Sequence, residues 1–367
     1  MNLSVGIVGL PSVGKSALFS ALTKRSTGGG RSTTATVPVP DERLDVLAEM
    51  VHPKRVAHAG VQMVDVAGLM RGAAAKEGGL GSQFLGQLQG VNALALVLRC
   101  FDAPELGLEP PKPLDDLESM VLEFQLSDLS RIDKRLERTS KTAKSGDAAA
   151  RREEKTLLEL REALDAGRPA KSVEVPETDA AALKDLALTT LKSLIFVANV
   201  SEDDLAVLHN PDAEDPHGVR SMIADIQQAA ATHEAEVAVV SAQLEAELAE
   251  LEEADALDYL ASLNVEETGL SRFISAAYRE LGLLTFLTAG EPEVRAWTVR
   301  QGAKAPEAAG TIHSDIERGF IRAEVTQYEK LVEAGSQQKA KELGYTRLEG
   351  KEYVMREGDV VYFRFNV

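Results

Sequence analysis

The sequence predicts an α/β fold built on a doubly wound, mostly parallel β-sheet. Short apolar strand patterns alternate with helical patterns, which is typical of a parallel sheet with helices on both faces. A glycine-rich turn at 9–16 joins the first apolar run to the first helix. Two later runs end in polar residues, Asp65 and Asn199. Because parallel strands bring their carboxyl ends to one edge, these features predict a ligand site at that edge.

Composition narrows the class of protein. The chain has 367 residues, of which 44% are hydrophobic and 27% charged, as expected for a soluble protein of two or three domains. No apolar run reaches the roughly 20 residues that span a bilayer, and the start shows no leader-like pattern. The single cysteine, Cys100, cannot form an intrachain disulfide and is expected to be a buried apolar residue. We therefore expect a cytoplasmic monomer with no membrane partner.

Residues 9–16, the phosphate loop, match the pattern G-x-x-x-x-G-K-[ST] between a strand and a helix. Gly9 and Gly14 let the backbone curl so that several N–H groups converge on phosphate oxygens at the positive end of a helix dipole. Lys15 is expected to bridge the β- and γ-phosphates and is the one residue given a catalytic role, while the Ser16 hydroxyl is expected to bind Mg²⁺. The predicted nucleotide contacts here are Gly9, Pro11, Ser12, Val13, Gly14, Lys15, Ser16 and Ala17.

A second strand pattern, at 60–69, ends in Asp65-Val66-Ala67-Gly68. Asp65 suits a Mg²⁺ ligand, and the Gly68 N–H is placed to reach the γ-phosphate. Leu69 follows, where many GTPases of this layout carry a Gln that orients the attacking water. Leucine has no hydrogen-bonding group, so any hydrolysis must position water in another way. The Gly- and Ala-rich segment 70–90 predicts a loop that orders around a γ-phosphate and then runs into a helix.

The strand pattern that ends at Asn199 continues as Val200-Ser201-Glu202. In the guanine-reading signature Asn-Lys-x-Asp, the Asp carboxylate accepts hydrogen bonds from guanine N1–H and the 2-amino group, which adenine lacks. Glu202 is one methylene longer than Asp and Val200 replaces the Lys, so we expect the guanine site to be lost. The Asn199 amide can accept from the adenine 6-amino group and donate to N7, which favours ATP. The alternative is that Asn199 merely caps a helix.

Two further strand patterns lie at 93–101 and from 236 to Ser241-Ala242. From 114 to 167, apolar residues recur at near-heptad spacing, and a break at 145–150 divides them into two antiparallel helices. Such a stripe is typical of a seam between helices; the alternative is an arm that reaches a partner and transmits nucleotide state. The stripe comprises Leu114, Leu117, Val121, Phe124, Ile132 and Leu136.

The segment from Leu283 to the end has short strand-like runs, with Gly358-Asp359 as a turn before the last strand. Trp297, the only tryptophan, is expected to lie in a core. The whole chain carries a net charge of −18, which argues against general attraction to nucleic acid. Residues 283–367 carry 12 Lys and Arg against 13 Asp and Glu, so any RNA contact is expected in this nearly neutral segment.

The chain resembles the YchF / Obg-like ATPase family nearly from end to end. The resemblance implies a P-loop G domain at 1–113 and 186–282, a helical coiled coil inserted at 114–185, and a β-grasp-like TGS domain at 283–367. It also implies Mg²⁺-dependent hydrolysis of ATP in preference to GTP, and association with the ribosome or ribosomal RNA. It rests on "GIVGLPSVGKSALFSALTK", "VPVPDERLDVLA", "DVAGL", "VLRCF", "FVANVSEDDL", "SAQLEAEL", "FLTAGEPEVRAWTVRQGAKAPEAAGTIHSDIERGFIRAEV" and "RLEGKEYVMREGDVVYFRFNV".

At the base, the resemblance implies that Asn199 binds adenine with help from the Val200 backbone. Ser241 and Ala242 would support the base from the next loop, and Glu202 completes the predicted nucleotide-binding set. A slow ATPase is the favoured function. The alternatives are a GTPase, and a binding module in which nucleotide sets the angle between the helical arm and the C-terminal domain.

The sequence departs from the family in two places. A His proposed to assist hydrolysis in relatives is missing from the loop at 102–113, so we assign no catalytic base. The segment 26–41 lacks the family's Pro-Phe-x-Thr-Ile-Glu-Pro-Asn motif, whose Thr ligates Mg²⁺. Thr33 or Thr34 can substitute, and Thr34 joins Ser16 and Asp65 as a predicted metal ligand; the alternative is a plain Gly/Ser/Thr loop.

Overall fold

The computed structural model describes residues 3–24, 33–66 and 82–366. Within them the chain forms two compact units. The first consists of the described parts of Met1–Ala35 and Gln62–Ala276, and the second of those of Thr36–Val61 and Ala277–Val367. This division does not separate the helical insertion as a body of its own. The boundaries predicted at 113/114, 185/186 and 282/283 therefore stay predictions.

The described strands form two sheets of six strands each. In chain order they are β1 (Ser4–Gly9), β2 (Thr34–Pro38), β3 (Val56–Ala57), β4 (Gly60–Asp65), β5 (Ala93–Arg99), β6 (Ser193–Asn199), β7 (Glu236–Val240), β8 (Leu283–Ala289), β9 (Val294–Arg300), β10 (Phe320–Gln327), β11 (Arg347–Glu349) and β12 (Asp359–Phe365).

The described α-helices follow the same numbering. They are α1 (Lys15–Lys24), α2 (Arg43–Val51), α3 (Ser82–Gly90), α4 (Pro113–Lys144), α5 (Ala148–Asp165), α6 (Glu177–Lys184), α7 (Glu202–His209), α8 (Val219–His233), α9 (Ala242–Leu248), α10 (Glu253–Ser262), α11 (Gly269–Glu280), α12 (Ala305–Ile312), α13 (Ser314–Arg318), α14 (Tyr328–Ala334) and α15 (Gln337–Glu342).

The first sheet has the strand order β2-β4-β1-β5-β6-β7. Strand β1 pairs in parallel with β4 and β5, and β6 pairs in parallel with β5 and β7. The near-continuous apolar sequence of β5 is buried, as expected of a parallel strand covered on both faces. The register sets Asn199 opposite both Arg99 and Val240, so these strands end at one edge. The predicted mostly parallel sheet is therefore confirmed.

Helices α4 and α5 form a long pair within the first unit. Pro113 begins α4 at a position where its missing N–H costs no hydrogen bond. The turn is shorter than the predicted break at 145–150, because Asp147 accepts a hydrogen bond from the Ala150 N–H and begins α5 at Ala148. The apolar seam includes Ile132, a member of the predicted stripe, with Leu157, Leu160 and Leu164 from α5.

The second unit is built around the sheet β11-β10-β12-β8-β9-β3. Residues 36–61 belong to it because β3 pairs with β9 and the Arg43 guanidinium bonds the Glu357 carboxylate. Trp297 packs on the unit's core, stacked on Phe286 at 6.4 Å between ring centroids. Gly358 takes a φ of 76° immediately before the last strand, as the predicted turn requires.

Two expectations from composition concern the burial of Cys100 and membrane-spanning helices. Cys100 is buried at the end of β5, and burial raises the pKa of its thiol to about 12, which confirms that it is a buried apolar residue. Among the described helices, none has the length and apolar character needed to cross a bilayer.

Candidate nucleotide-binding site

The phosphate loop connects β1 to α1 through two residues with left-handed backbone conformations. Ser12 has a φ of 63° and Gly14 a φ of 86°. Ser12 is a non-glycine residue in this region, and such residues concentrate at ligand sites. A Cβ added at Gly9 would lie 2.7 Å from a methyl carbon of Val13, so any larger residue at position 9 would force Val13 or the loop to shift. The conformation agrees with a backbone cradle for phosphate, as the sequence predicts.

Lys15 opens α1 with its side chain only half-buried. Its Nζ donates to the carbonyl oxygen of Val66 at 3.0 Å. Burial lowers the pKa of Lys15, an effect opposed by the negative charge of Asp65. The amine therefore sits close to the end of β4, hydrogen-bonded to a neutral carbonyl that a phosphate oxygen can replace.

Asp65 ends β4 beside Lys15. Burial raises the pKa of Asp65, and the charge of Lys15 opposes that rise. Its Oδ1 atom is buried and has no hydrogen-bond partner within the described parts of the chain. An orphaned, buried carboxylate oxygen at this edge fits a site for a hard cation, because Mg²⁺ prefers oxygen ligands.

The other predicted metal ligands flank this position. Ser16 is an exposed residue in the first turn of α1. Thr34 begins β2, and the carbonyl of Thr33 beside it accepts from the Asp65 N–H at 2.8 Å. Of the residues that the structure covers, no group of three or more His, Cys, Asp or Glu is placed to hold a metal. A cation here therefore needs hydroxyl and phosphate oxygens besides Asp65. Gly68 and Leu69 lie outside the described residues.

We define the base end of the site as Asn199, Val200, Ser241 and Ala242. Asn199, at the end of β6, is 4% exposed and is hydrogen-bonded to two other segments of the chain. Its Nδ2 donates to the Val13 carbonyl at 2.9 Å, and its Oδ1 accepts from the Ala242 N–H at 2.9 Å. Asn199 thus joins the phosphate loop to the start of α9. One amide hydrogen and one oxygen lone pair remain for a base.

The structure shows which helix Asn199 caps and which residue caps α7. The residue that caps α7 is Ser201, whose hydroxyl accepts from the Asp204 N–H. Asn199 instead satisfies an N–H group at the first residue of α9, 43 residues further along the chain. It therefore caps a helix through a tertiary contact while also bonding the phosphate loop.

The remaining residues of the base end are buried around Asn199. Val200 donates its N–H to the Val240 carbonyl at 2.9 Å, which fixes the turn after β6. Ser241 and Ala242 are each 1% exposed. The Ser241 hydroxyl has no hydrogen-bond partner among the described atoms. A bound ligand is one way to satisfy this buried hydroxyl.

Glu202 lies in the first turn of α7, three residues after Asn199, and is half-buried. The hydroxyl of Tyr259, on α10, donates a hydrogen bond to Glu202 Oε1. The sequence analysis missed Tyr259, because no motif near it points to the base end. Tyr259 is an exposed residue, with 41% of its surface accessible.

A second feature that the sequence analysis missed is a hydrogen-bonded chain behind the turn. The Ser201 hydroxyl donates to Asp204 Oδ2 at 2.6 Å, and His217 Nδ1 lies 2.8 Å from Asp204 Oδ1. The hydrogen bond to Asp204 and its charge raise the pKa of His217, with smaller contributions from Asp102 and Asp215. His217 is remote in sequence from the loop at 102–113, where the family resemblance implies a histidine.

Asp128, on α4, links the helix pair to the strand that carries Asn199. Its carboxylate is fully buried and accepts from the N–H groups of Thr189 and Thr190 and from the Thr190 hydroxyl. Those residues begin a short 3-10 turn, Thr189–Leu191, that leads into β6. Burial raises the pKa of Asp128, and the three hydrogen bonds oppose that rise. The helix pair is thus fixed to the start of β6.

Comparison with known proteins gives consistent matches over the whole chain. Residues 283–366 match the family YchF-GTPase_C, described as a protein of unknown function, and residues 4–137 match MMR_HSR1, described as a 50S ribosome-binding GTPase. The ribosome-binding ATPase YchF of Bacillus subtilis (strain 168) is 45% identical over 376 residues, and that of Escherichia coli O157:H7 is 39% identical, each alignment covering 100% of both chains. The solved structure of the Schizosaccharomyces pombe YchF GTPase matches with a TM-score of 0.85 and 30% identity, covering 99% of this chain and 98% of that chain.

Proposed function

The chain belongs to the YchF family, and on that premise we propose that it is an ATPase that binds Mg-ATP in preference to GTP, hydrolyses it slowly and acts as a nucleotide-dependent regulator on the ribosome. The observation that carries the proposal is the hydrogen bond from Asn199 to Val13. It joins the predicted base reader to the phosphate loop, so base and phosphates have one continuous binding surface. The bacterial relatives are named ribosome-binding ATPases.

At the phosphates, Lys15 exchanges the Val66 carbonyl for oxygens of the β- and γ-phosphates. The phosphate charge favours the protonated amine and offsets the effect of burial on the pKa of Lys15. Ser16, Asp65 and Thr34 are the residues proposed to hold Mg²⁺, which supplies neutralisation of phosphate charge when bound. The N–H groups of the loop and of the first turn of α1 bind the phosphate oxygens.

At the base, the free hydrogen of Asn199 Nδ2 is available to adenine N7, and the free lone pair of Oδ1 to the 6-amino group. Recognition of N7 alone does not distinguish adenine from guanine, because both bases present an acceptor there. The preference for ATP therefore depends on the 6-amino contact and on the lack of an acceptor for guanine N1–H. Val200, Ser241 and Ala242 close the surface around the base.

The finer architecture belongs to the same proposal. Helices α4 and α5 are proposed to be the family's coiled coil, within 114–185, and 283–367 its TGS domain. The contact of Asp128 with the residues before β6 supports a coupling between the helix pair and the base end. In this view the helix pair reports nucleotide state to a ribosomal partner.

A second candidate is a binding module that holds nucleotide with negligible turnover. Leu69 stands where a water-orienting Gln is used in many GTPases, and the loop at 102–113 contains no His. Both facts favour weak catalysis. A third candidate is GTP hydrolysis, since the Schizosaccharomyces pombe relative is titled a GTPase.

Titration calorimetry of the nucleotide-free protein with Mg-bound, non-hydrolysable ATP and GTP analogues tests the base preference. We expect ATP to bind at least about tenfold more tightly, a gap of about 1.4 kcal/mol. Equal or GTP-favouring affinity would contradict the ATP assignment. Single-turnover hydrolysis of ATP, with and without ribosomes, then separates the ATPase from the binding module, since only the ATPase gives phosphate release above the uncatalysed rate.

A further inference from the structure

We propose that Tyr259 is a positioning residue for base specificity: its hydroxyl holds the Glu202 carboxylate away from the base and so prevents Glu202 from accepting hydrogen bonds from guanine. The inference deepens the proposed function, because it rests on nucleotide binding at Asn199. It assigns the preference against GTP to a contact between α7 and α10, two helices outside the phosphate loop.

The first step is the position of Glu202. It occupies the fourth place of Asn199-Val200-Ser201-Glu202, where the guanine-reading signature has an Asp. The turn is fixed on both sides, by the Val200 N–H on the Val240 carbonyl and by Ser201 at the start of α7. In the guanine-reading signature the carboxylate at this place reaches the base, so the direction that Glu202 takes decides whether it can do the same here. One extra methylene lengthens the side chain and does not remove its capacity to accept hydrogen bonds.

The second step is the partner of Glu202. The Tyr259 hydroxyl donates to Oε1 from α10, 57 residues further along the chain. Within the described ranges, this hydroxyl is the only partner found for the Glu202 carboxylate in hydrogen bonds or ion pairs. The hydrogen bond to Glu202 and the charges of Glu202 and Glu247 raise the pKa of Tyr259. The phenol is therefore protonated across the neutral range and acts as the donor.

The third step is the chemistry of the two bases. Guanine presents two donors, N1–H and the 2-amino group, to a carboxylate at the fourth position. Adenine presents an acceptor at N1 and no polar donor at C2, so a free carboxylate facing it is repulsive. A hydroxyl that holds the carboxylate aside therefore disfavours GTP by withholding an acceptor, and favours ATP by removing a repulsion. The effect on GTP is the larger one, because hydrogen bonds to a charged acceptor are strong.

The test is calorimetric titration of Tyr259→Phe and the unmodified protein with non-hydrolysable Mg-ATP and Mg-GTP analogues. Removal of one hydroxyl frees the Glu202 carboxylate, so we expect GTP to bind about fivefold more tightly in the variant, with ATP affinity equal or slightly weaker. The matched control is Tyr345→Phe, which removes a hydroxyl that donates to Glu333 in the second unit. It is expected to change neither affinity.

A second background, Glu202→Ala, distinguishes a positioning role of Tyr259 from a general loosening of the fold. In Glu202→Ala, where there is no carboxylate to hold, Tyr259→Phe is expected to leave the ATP to GTP affinity ratio unchanged. Unchanged GTP affinity in Tyr259→Phe overturns the proposal, and so does an equal fall in affinity for both nucleotides. The proposed ATP preference is tested separately from the role of Tyr259. The preference fails if the unmodified protein binds both nucleotides equally, whereas the test of Tyr259 compares GTP binding between the variant and its parent.

Discussion

The two ends of the site differ in how their main polar side chains are held. At the phosphate end, which comprises the phosphate loop and Asp65, the hydrogen bond of Lys15 is to a carbonyl, and Asp65 Oδ1 has no partner among the described atoms. At the base end, Asn199 bonds two backbone groups, while the buried Ser241 hydroxyl has no partner among the described atoms. Behind the turn, Asp204 bonds Ser201 and His217. We therefore propose that a ligand completes the phosphate end, whereas the side chain proposed to read the base is already held in place without one.

Two carboxylates, the half-buried Asp65 and the fully buried Asp128, illustrate the same difference. Burial raises the pKa of both Asp65 and Asp128. Asp128 accepts three hydrogen bonds from Thr189 and Thr190, so its burial is matched by partners and it serves the architecture. Asp65 has one oxygen without any partner among the described atoms, which is typical of a group kept for a ligand. The direction of the pKa shift does not distinguish the two roles; the hydrogen bonds do.

The largest expected effect is at the phosphate end. Lys15→Ala removes the cation proposed to face the β- and γ-phosphates, and we expect ATP affinity to fall about 100-fold. Calorimetry measures the loss. Lys24→Ala, on the same helix, is the control, because Lys24 pairs with the exposed Glu250. If Lys15→Ala left affinity within about threefold of the parent, Lys15 would not bind phosphate in this protein.

The next effect tests whether the base end is held together without ligand. Asn199→Ala leaves the Val13 carbonyl and the Ala242 N–H without their partner, and we expect the free energy of unfolding to fall by about 2 kcal/mol in nucleotide-free protein. Denaturant titration measures it. Asn210→Ala, at an exposed position, is the matched control, expected to change stability by less than about 0.5 kcal/mol. Equal stability of the two variants would remove the contrast between the ends.

A third effect concerns the orphaned oxygen of Asp65. Asp65→Asn keeps the side-chain shape and removes its charge, so we expect the gain in ATP affinity on adding Mg²⁺ to shrink about tenfold. ATP affinity measured with a chelator in place of Mg²⁺ should stay the same or rise, because a negative charge near the phosphates is removed. An undiminished gain from Mg²⁺ in the variant would show that Asp65 does not hold the cation.

The smallest effect concerns His217, which is half-exposed beside Asp204. Its pKa is raised in the folded state, so its protonated form adds stability below about pH 6.5, and this stability is lost as pH rises through the folded value. We expect the melting temperature of the parent to exceed that of His217→Gln by about 1–2 °C at pH 6, and by less at pH 8.5. Thermal melts at both pH values measure the difference. A difference that does not change with pH would argue against the charged pair.

The sequence predicted most fully the features that depend on residues close together along the chain. The phosphate loop needs only Gly9, Gly14 and Lys15 in a strand–loop–helix context, and the strand ending at Asn199 was visible as an apolar run. The structure adds what depends on distant contacts. Asn199 bonds Val13 across 186 residues and Glu202 meets Tyr259 across 57, and neither pairing leaves a periodic pattern.

Two local details were also beyond the sequence. Residues 36–61 join the second unit through the pairing of β3 with β9. The sequence does not show this pairing, because β3 has only two residues and is too short to be recognised by alternation. The turn between α4 and α5 is shorter than predicted, because three alanines after Asp147 extend the helix once the cap is made. Predicted roles at Gly68 and Leu69 lie outside the described residues and stay predictions.

Gly14 has a consequence for how such a site can change over time or by design. A Cβ added there would overlap Nδ2 of Asn199, so the phosphate loop and the residue proposed to read the base pack together without room for one more methyl group. Because Gly14 already lacks a side chain, it cannot make room for a larger residue at position 199. We therefore expect an enlarged residue at 199 to displace the phosphate loop. Exchanges at Glu202 and Tyr259 leave this contact unchanged and offer a separate route to a new base preference.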